Sequence, residues 1–117
     1  MNKEKNQQIM ELVGSLKKLS IENDVKLWKR IALDLEKPSR DRREVNIYKL
    51  DKYCKDNETV IVPGKVLGMG DLNKKLNVAA YNFSSQAYEK IKQKGKALSI
   101  PELMKENPKA KGVRIIG

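Results

Sequence analysis

The chain has 117 residues, with 25 Lys and Arg against 15 Asp and Glu, for a formal net charge of +10. That length suits a single domain over 1–117, because two separate cores would each be too small. A hydrophobic fraction of 39% beside 34% charged residues suits a soluble domain with a wet surface, and no apolar run reaches the roughly 18 residues that a transmembrane helix needs, so no membrane partner is expected.

With no His in the chain, neither a Ser-His or Cys-His nucleophile pair nor an imidazole metal ligand can be built. Cys54 is the only cysteine, which excludes an internal disulfide and a cysteine zinc site. The stretch from Met1 to Asn6 lacks a signal-peptide core, and a disulfide-free basic chain fits a reducing cytoplasm. The charge excess points to a polyanion, of which nucleic acid is the commonest in that compartment. No enzyme activity, metal or cofactor is expected.

Ile9, Leu12, Val13, Leu16 and Leu19 recur on one face of a helix. The stretch from Ser20 to Asn23 breaks that pattern, and Asp24 is the expected N-cap of a second helix with Val25, Trp28, Ile31, Ala32 and Leu35 as its apolar stripe. Pro38 stops this helix, since the residue before a proline avoids the α region. Residues 1–36 therefore read as an N-terminal helical pair, and 37–44 as an exposed basic loop without apolar side chains other than the proline. Residues 45–117 read as an α/β core. It opens with a short strand at Val45-Asn46 and a helical pattern of Ile47, Leu50 and Cys54.

Further on the period changes. Thr59 to Val62 is a β-branched strand ending at a Pro63-Gly64 turn, with a second strand over Lys65 to Leu67. A loop at Gly68 to Asp71 precedes the longest expected strand, in which Leu76, Val78 and Ala80 share one buried face and the run continues to Phe83. Ser84-Ser85 caps a helix carrying Ala87, Tyr88 and Ile91, and Gly95 lies just past its end. Lys96 to Leu98 is strand-like. Ser99-Ile100-Pro101-Glu102 fits a capping box for a helix that ends before Pro108, and Val113 to Ile116 closes the chain as a strand. Alternating strands and helices argue an α/β fold.

No phosphate-binding glycine loop survives inspection. No Gly is followed by Lys-Ser or Lys-Thr, and the third Gly of a dinucleotide fingerprint is replaced by Asn73. The glycines at 64, 68 and 70 read as turn residues. Carboxylate pairs such as Asp51 with Asp56 lie among lysines and read as solvated faces, and Cys54 reads as a small buried hydrophobe. The strongest positive signal is Arg40, Arg42 and Arg43, planar forks suited to bidentate phosphate contact. Lys37, Lys65, Lys74, Lys75, Lys109, Lys111 and Arg114 complete the candidate nucleic-acid-binding set. Trp28 reads as core rather than as a stacking platform, and the scattered aromatics argue for recognition of backbone and shape in a folded nucleic acid, not for base stacking. A DNA-binding or chromatin-like protein is the alternative that the charge permits, although no helix-turn-helix spacing supports it.

Longer motifs carry a likeness. Val45-Asn46-Ile47-Tyr48-Lys49-Leu50, the run from Glu58 to Gly70 containing V-P-G-K-V-L-G-M-G, the run from Val78 to Ser84, and the ending from Glu106 to Gly117 resemble the eighteen-e family of archaeal and eukaryotic large-subunit ribosomal proteins. The resemblance covers nearly the whole chain, and the short length is similar to the archaeal members. It implies a structural protein of the large ribosomal subunit, without a catalytic site, that binds large-subunit ribosomal RNA beside neighbouring subunit proteins. It also implies an irregular superhelix of β-β-α units, shared with the universal fifteen family, behind an N-terminal helical extension. The family's loop after the second helix tends to be a denser Arg run, which Ser39 and Asp41 interrupt here.

Overall fold

In a computed structural model describing residues 3–117, the first apolar stripe becomes α1, Lys3–Asn23, which buries Ile9, Val13 and Leu16. Met1 and Asn2, the head of the stretch read above as lacking a signal-peptide core, lie outside the described residues. The helix runs through the expected break at Ser20 to Asn23 and stops where Asp24 adopts φ 54°. Asp24 is therefore a left-handed turn residue and not the N-cap, a conformation that its short polar side chain tolerates. Val25 is the N-cap of α2, Lys26–Glu36, and carries no side-chain cap. Instead the Ser20 hydroxyl donates to the Val25 carbonyl at 2.7 Å and the Val25 N–H donates to the Ser20 carbonyl at 3.0 Å, which ties the two helices at their joint.

After α2 the chain makes a short 3-10 turn at Ser39–Asp41 and enters β1, Arg43–Asn46. Arg43 and Glu44, expected in the exposed loop, are thus strand residues. There follow α3 (Ile47–Tyr53), β2 (Thr59–Leu67), β3 (Asn77–Phe83), α4 (Ser85–Lys94), β4 (Lys96–Ser99), α5 (Ile100–Glu106) and β5 (Val113–Ile115). Ser84 caps α4 by accepting the Ala87 N–H, and Ser99 with Glu102 forms the full capping box of α5.

All strand pairings are parallel, in the order β1-β2-β3-β4, with β5 also pairing β2. β5 matches Thr59 to Ile61 and β1 matches Gly64 to Leu67, so these two short strands lie end to end along one edge of β2. Pro63-Gly64 is not a turn. It sits inside one nine-residue strand, where the register with β3 shifts between Val62 and Lys65. Such a bulge accommodates a proline that cannot donate to a ladder. At Gly64 a Cβ would collide with the Arg43 carbonyl, so β1 can approach only a glycine there.

Alternation along the strands divides the core between two faces. Val60, Val62, Val78 and Ala80 pack with Leu76, Leu50, Cys54, Ala87 and Ile91, under α3 and α4. Ile61, Ala79 and Leu98 face the other way and pack with Leu16, Trp28, Ile31, Leu35, Ile100 and Leu103, under α1, α2 and α5. The fold is a parallel α/β sheet covered on both faces, as all-parallel sheets require. The N-terminal helical pair supplies most of one layer. Trp28 is fully buried in it, and its Nε1 donates to the Pro108 carbonyl at 2.8 Å.

Candidate nucleic-acid interface

Asp34 organises the basic segment. Its carboxylate is buried at the end of α2 and lies 3.1 Å from Lys37 Nζ, 3.5 Å from Arg43 Nη2 and 3.8 Å from Arg30 Nε. Two of these cations, Lys37 and Arg43, tie the two ends of residues 37–43 to one buried carboxylate on α2. Arg43 is accordingly half-buried, and the last residue, Gly117, lies against its side chain where β5 ends and β1 begins. Arg42 is also half-buried, with its guanidinium carbon 5.7 Å from the centre of the Tyr81 ring. Its Nε is buried without a hydrogen-bond partner among the described residues. Arg40 alone of the three is exposed, at the tip of the 3-10 turn.

The other candidates divide by what their side chains already hold. Lys74 reaches the carbonyls of Asp51 and Cys54, the latter at 2.7 Å, and so closes the C-terminal end of α3, where a cation also meets the negative end of the helix dipole. Arg114 donates to the Tyr53 carbonyl at 2.7 Å and to Glu58 at 2.9 Å, joining β5 to the loop before β2. Lys65, Lys75, Lys109 and Lys111 are exposed. The turn carrying Lys109 and Lys111 is fixed by Asn107, which exchanges hydrogen bonds with the Lys111 backbone at 3.0 and 3.2 Å. Among these described residues, exposed cations therefore project from ordered backbone on four segments, the 3-10 turn, the β2 bulge, the loop before β3 and the turn before β5.

The glycine loop serves α4 and α3, not a phosphate. Lys90 donates to the carbonyls of Gly68 at 2.8 Å and Gly70 at 2.6 Å, and the Tyr48 N–H donates to Met69 at 3.0 Å. Gly70 has φ 104°, and a Cβ there would strike Tyr48. Cys54 is buried, and burial pushes its thiol above its ordinary value, which disfavours the reactive thiolate. No cluster of metal-ligating side chains and no helix long and apolar enough to cross a membrane occurs among the described residues.

Residues 15–97, from the middle of α1 into β4, match the family described as ribosomal proteins 50S-L15, 50S-L18e and 60S-L27A. The chain belongs to this family. It is 46% identical over 112 residues to the large ribosomal subunit protein eL18 of Methanoregula boonei, covering 95% of this chain and 93% of that protein. The protein of the same name from Archaeoglobus fulgidus is 46% identical over 112 residues, covering 95% and 96% of the two chains. That of Methanospirillum hungatei is 43% identical over 116 residues, covering 98% and 96%. The family match spans the V-P-G-K-V-L-G-M-G region, where β1 packs closely on Gly64, α4 on Gly68 and α3 on Gly70, while Lys65 is exposed.

Two residues that shape the surface of this ribosomal-family fold, Asp34 and Lys90, carry no local signal in the sequence. Asp34 reads as one more charge on an amphipathic helix, since its partner Arg43 lies across a turn. Lys90 reads as a solvated lysine, since Gly68 and Gly70 are about twenty positions away. Tyr88, which the sequence groups with Ala87 and Ile91 on one helix, is exposed beside Phe83; Ala87 and Ile91 fill the buried face of α4, and the helix turns Tyr88 outward.

Proposed function

We propose that this chain is a structural constituent of the large ribosomal subunit, where it binds and stabilises folded large-subunit ribosomal RNA. The observation that carries this reading is identity of 46% along almost the full length of relatives named large ribosomal subunit protein eL18, joined to a net charge of +10. Lys37, Arg40, Lys65, Lys75, Lys109 and Lys111 offer exposed charge for phosphates, and Arg42 and Arg43 are half-buried in the same segment as Arg40. Fixed cations replace diffuse counterions where RNA strands crowd, and the resulting affinity falls steeply with salt. A rigid two-faced core keeps those cations at constant spacing, so one RNA arrangement is favoured over others. The role is structural rather than catalytic, and neighbouring subunit proteins share the surroundings in the cytoplasmic ribosome.

Sedimentation of a lysate containing the tagged chain tests this directly. The chain should travel with large subunits at low salt and stay with them through subunit dissociation. Migration with chromosomal DNA instead would favour the DNA-binding alternative.

A further inference from the structure

The C-terminal ends of β3 and β4 open on a crevice of about 500 Å³ lined by Tyr81, Phe83, Tyr88, Glu89, Ser99 and Glu102. Ligands of open parallel sheets collect at the carboxyl ends of strands, where the following helices begin. Here those helices are α4 and α5. The fold has gathered three of the chain's six aromatic side chains, scattered in the sequence, around one opening. Phe83 and Tyr88 meet edge to face, with ring centres 6.1 Å apart. Two cations stand against the aromatic walls, Arg42 5.7 Å from the Tyr81 ring centre and Lys92 5.2 Å from that of Tyr88. The buried Arg42 Nε still lacks a partner among the described residues.

This lining selects against a phosphate inside the crevice, because Glu89 and Glu102 would repel it. Aromatic faces stack a base, and carboxylates accept from exocyclic amino groups, as Glu and Asp do from cytosine N4. The flanking guanidinium and ammonium suit the phosphates on either side of such a base. We propose that the crevice receives one unpaired nucleotide of the bound RNA, carrying an amino-bearing base (adenine, cytosine or guanine), stacked on Tyr88. The inference rests on the RNA-binding role proposed above. It adds a base-stacking contact to a surface otherwise built for phosphates.

The test measures binding of the full chain to protein-free large-subunit ribosomal RNA across a salt series, for the parent, Tyr88→Ala and Tyr88→Phe. Stacking is lost on truncation and kept by phenylalanine. Tyr88→Ala should therefore weaken binding about tenfold to hundredfold, leave the salt slope unchanged, and retain the parental thermal melt, while Tyr88→Phe binds like the parent. In parallel, backbone amide shifts on adding AMP, CMP, GMP or UMP should cluster at Tyr81, Phe83, Tyr88 and Ser99 and be weakest for UMP. Parental affinity in Tyr88→Ala, beside salt-dependent binding of the parent, would overturn the crevice as a base site and leave the RNA-binding role standing. Absence of RNA binding by the parent itself would overturn both.

Discussion

Arg43 donates to Asp34 across 3.5 Å, and this pair folds the end of α2 onto the start of β1. Because β1 lies beside Gly64 of β2, the same pair sets where the basic segment leaves the sheet. The arginines of this segment thus divide into one that projects and two that also brace the fold.

Removing the carboxylate should separate those roles. Asp34→Asn leaves Arg30, Lys37 and Arg43 without their common counter-charge, and hydrogen bonds to charged groups contribute about 1.5–3 kcal/mol. Urea denaturation should show a loss toward the lower end of that range, because Lys37 and Arg30 are solvent-exposed. Arg40→Ala, at the exposed tip, should stay within about 0.5 kcal/mol of the parent. Equal losses in the two variants would contradict the division.

The helical pair should not melt on its own. Trp28 is the only tryptophan, it is fully buried, and it packs with Ile61 and Ala79 of the central strands. Its fluorescence therefore reports the junction of helices and sheet, while far-UV circular dichroism reports the whole backbone. The two denaturation curves should superimpose, as expected for a single cooperative unit. A Trp28 transition that precedes the loss of ellipticity would mean that residues 1–36 form a separate unit.

Acid should weaken the α5 cap. The Ser99 N–H, and then the Ser99 hydroxyl, hold the Glu102 carboxyl below its ordinary value. A carboxyl lowered by folding contributes stability that is fully present above its unfolded value, near pH 4.3, and is lost as pH falls through the folded value. Glu102→Gln keeps the geometry of a capping box without the titration. Parent stability should therefore fall more steeply than that of Glu102→Gln below about pH 4.3. Parallel pH profiles would show that the box carries no titrating contribution.

Local chemistry was legible where a few adjacent residues decide the structure. Ser99 and Glu102, Ser84 before α4, and the alternation of Val78 and Ala80 about Ala79 all form as their spacing predicts. The α/β class and the helical pair follow from the same periods. Pro63-Gly64 misleads because its geometry is imposed by β1, whose Arg43 carbonyl fills the space of a Gly64 side chain. Asp24 misleads because a good capping residue is also one that tolerates positive φ. In a sequence only charge marks these cations as candidate site residues, and charge does not reveal what a side chain already holds. Lys74 closes α3 through carbonyls 20 and 23 positions away, and Arg114 reaches back 61 positions to Tyr53. The aromatic crevice was hidden for the same reason, since only the strand order brings β3, β4 and α4 to one opening.

Salt dependence of binding to large-subunit ribosomal RNA addresses the RNA-binding role most directly. Each cation that neutralises one phosphate contributes about 0.7–0.9 to the slope of log K against log salt. The combined Arg40→Ala, Lys109→Ala, Lys111→Ala variant removes three exposed cations whose charged groups make no fold contact among the described residues. Its slope should be shallower than the parent's by about 2–3 units, with an unchanged thermal melt. An unchanged slope at unchanged stability would contradict phosphate binding by these side chains.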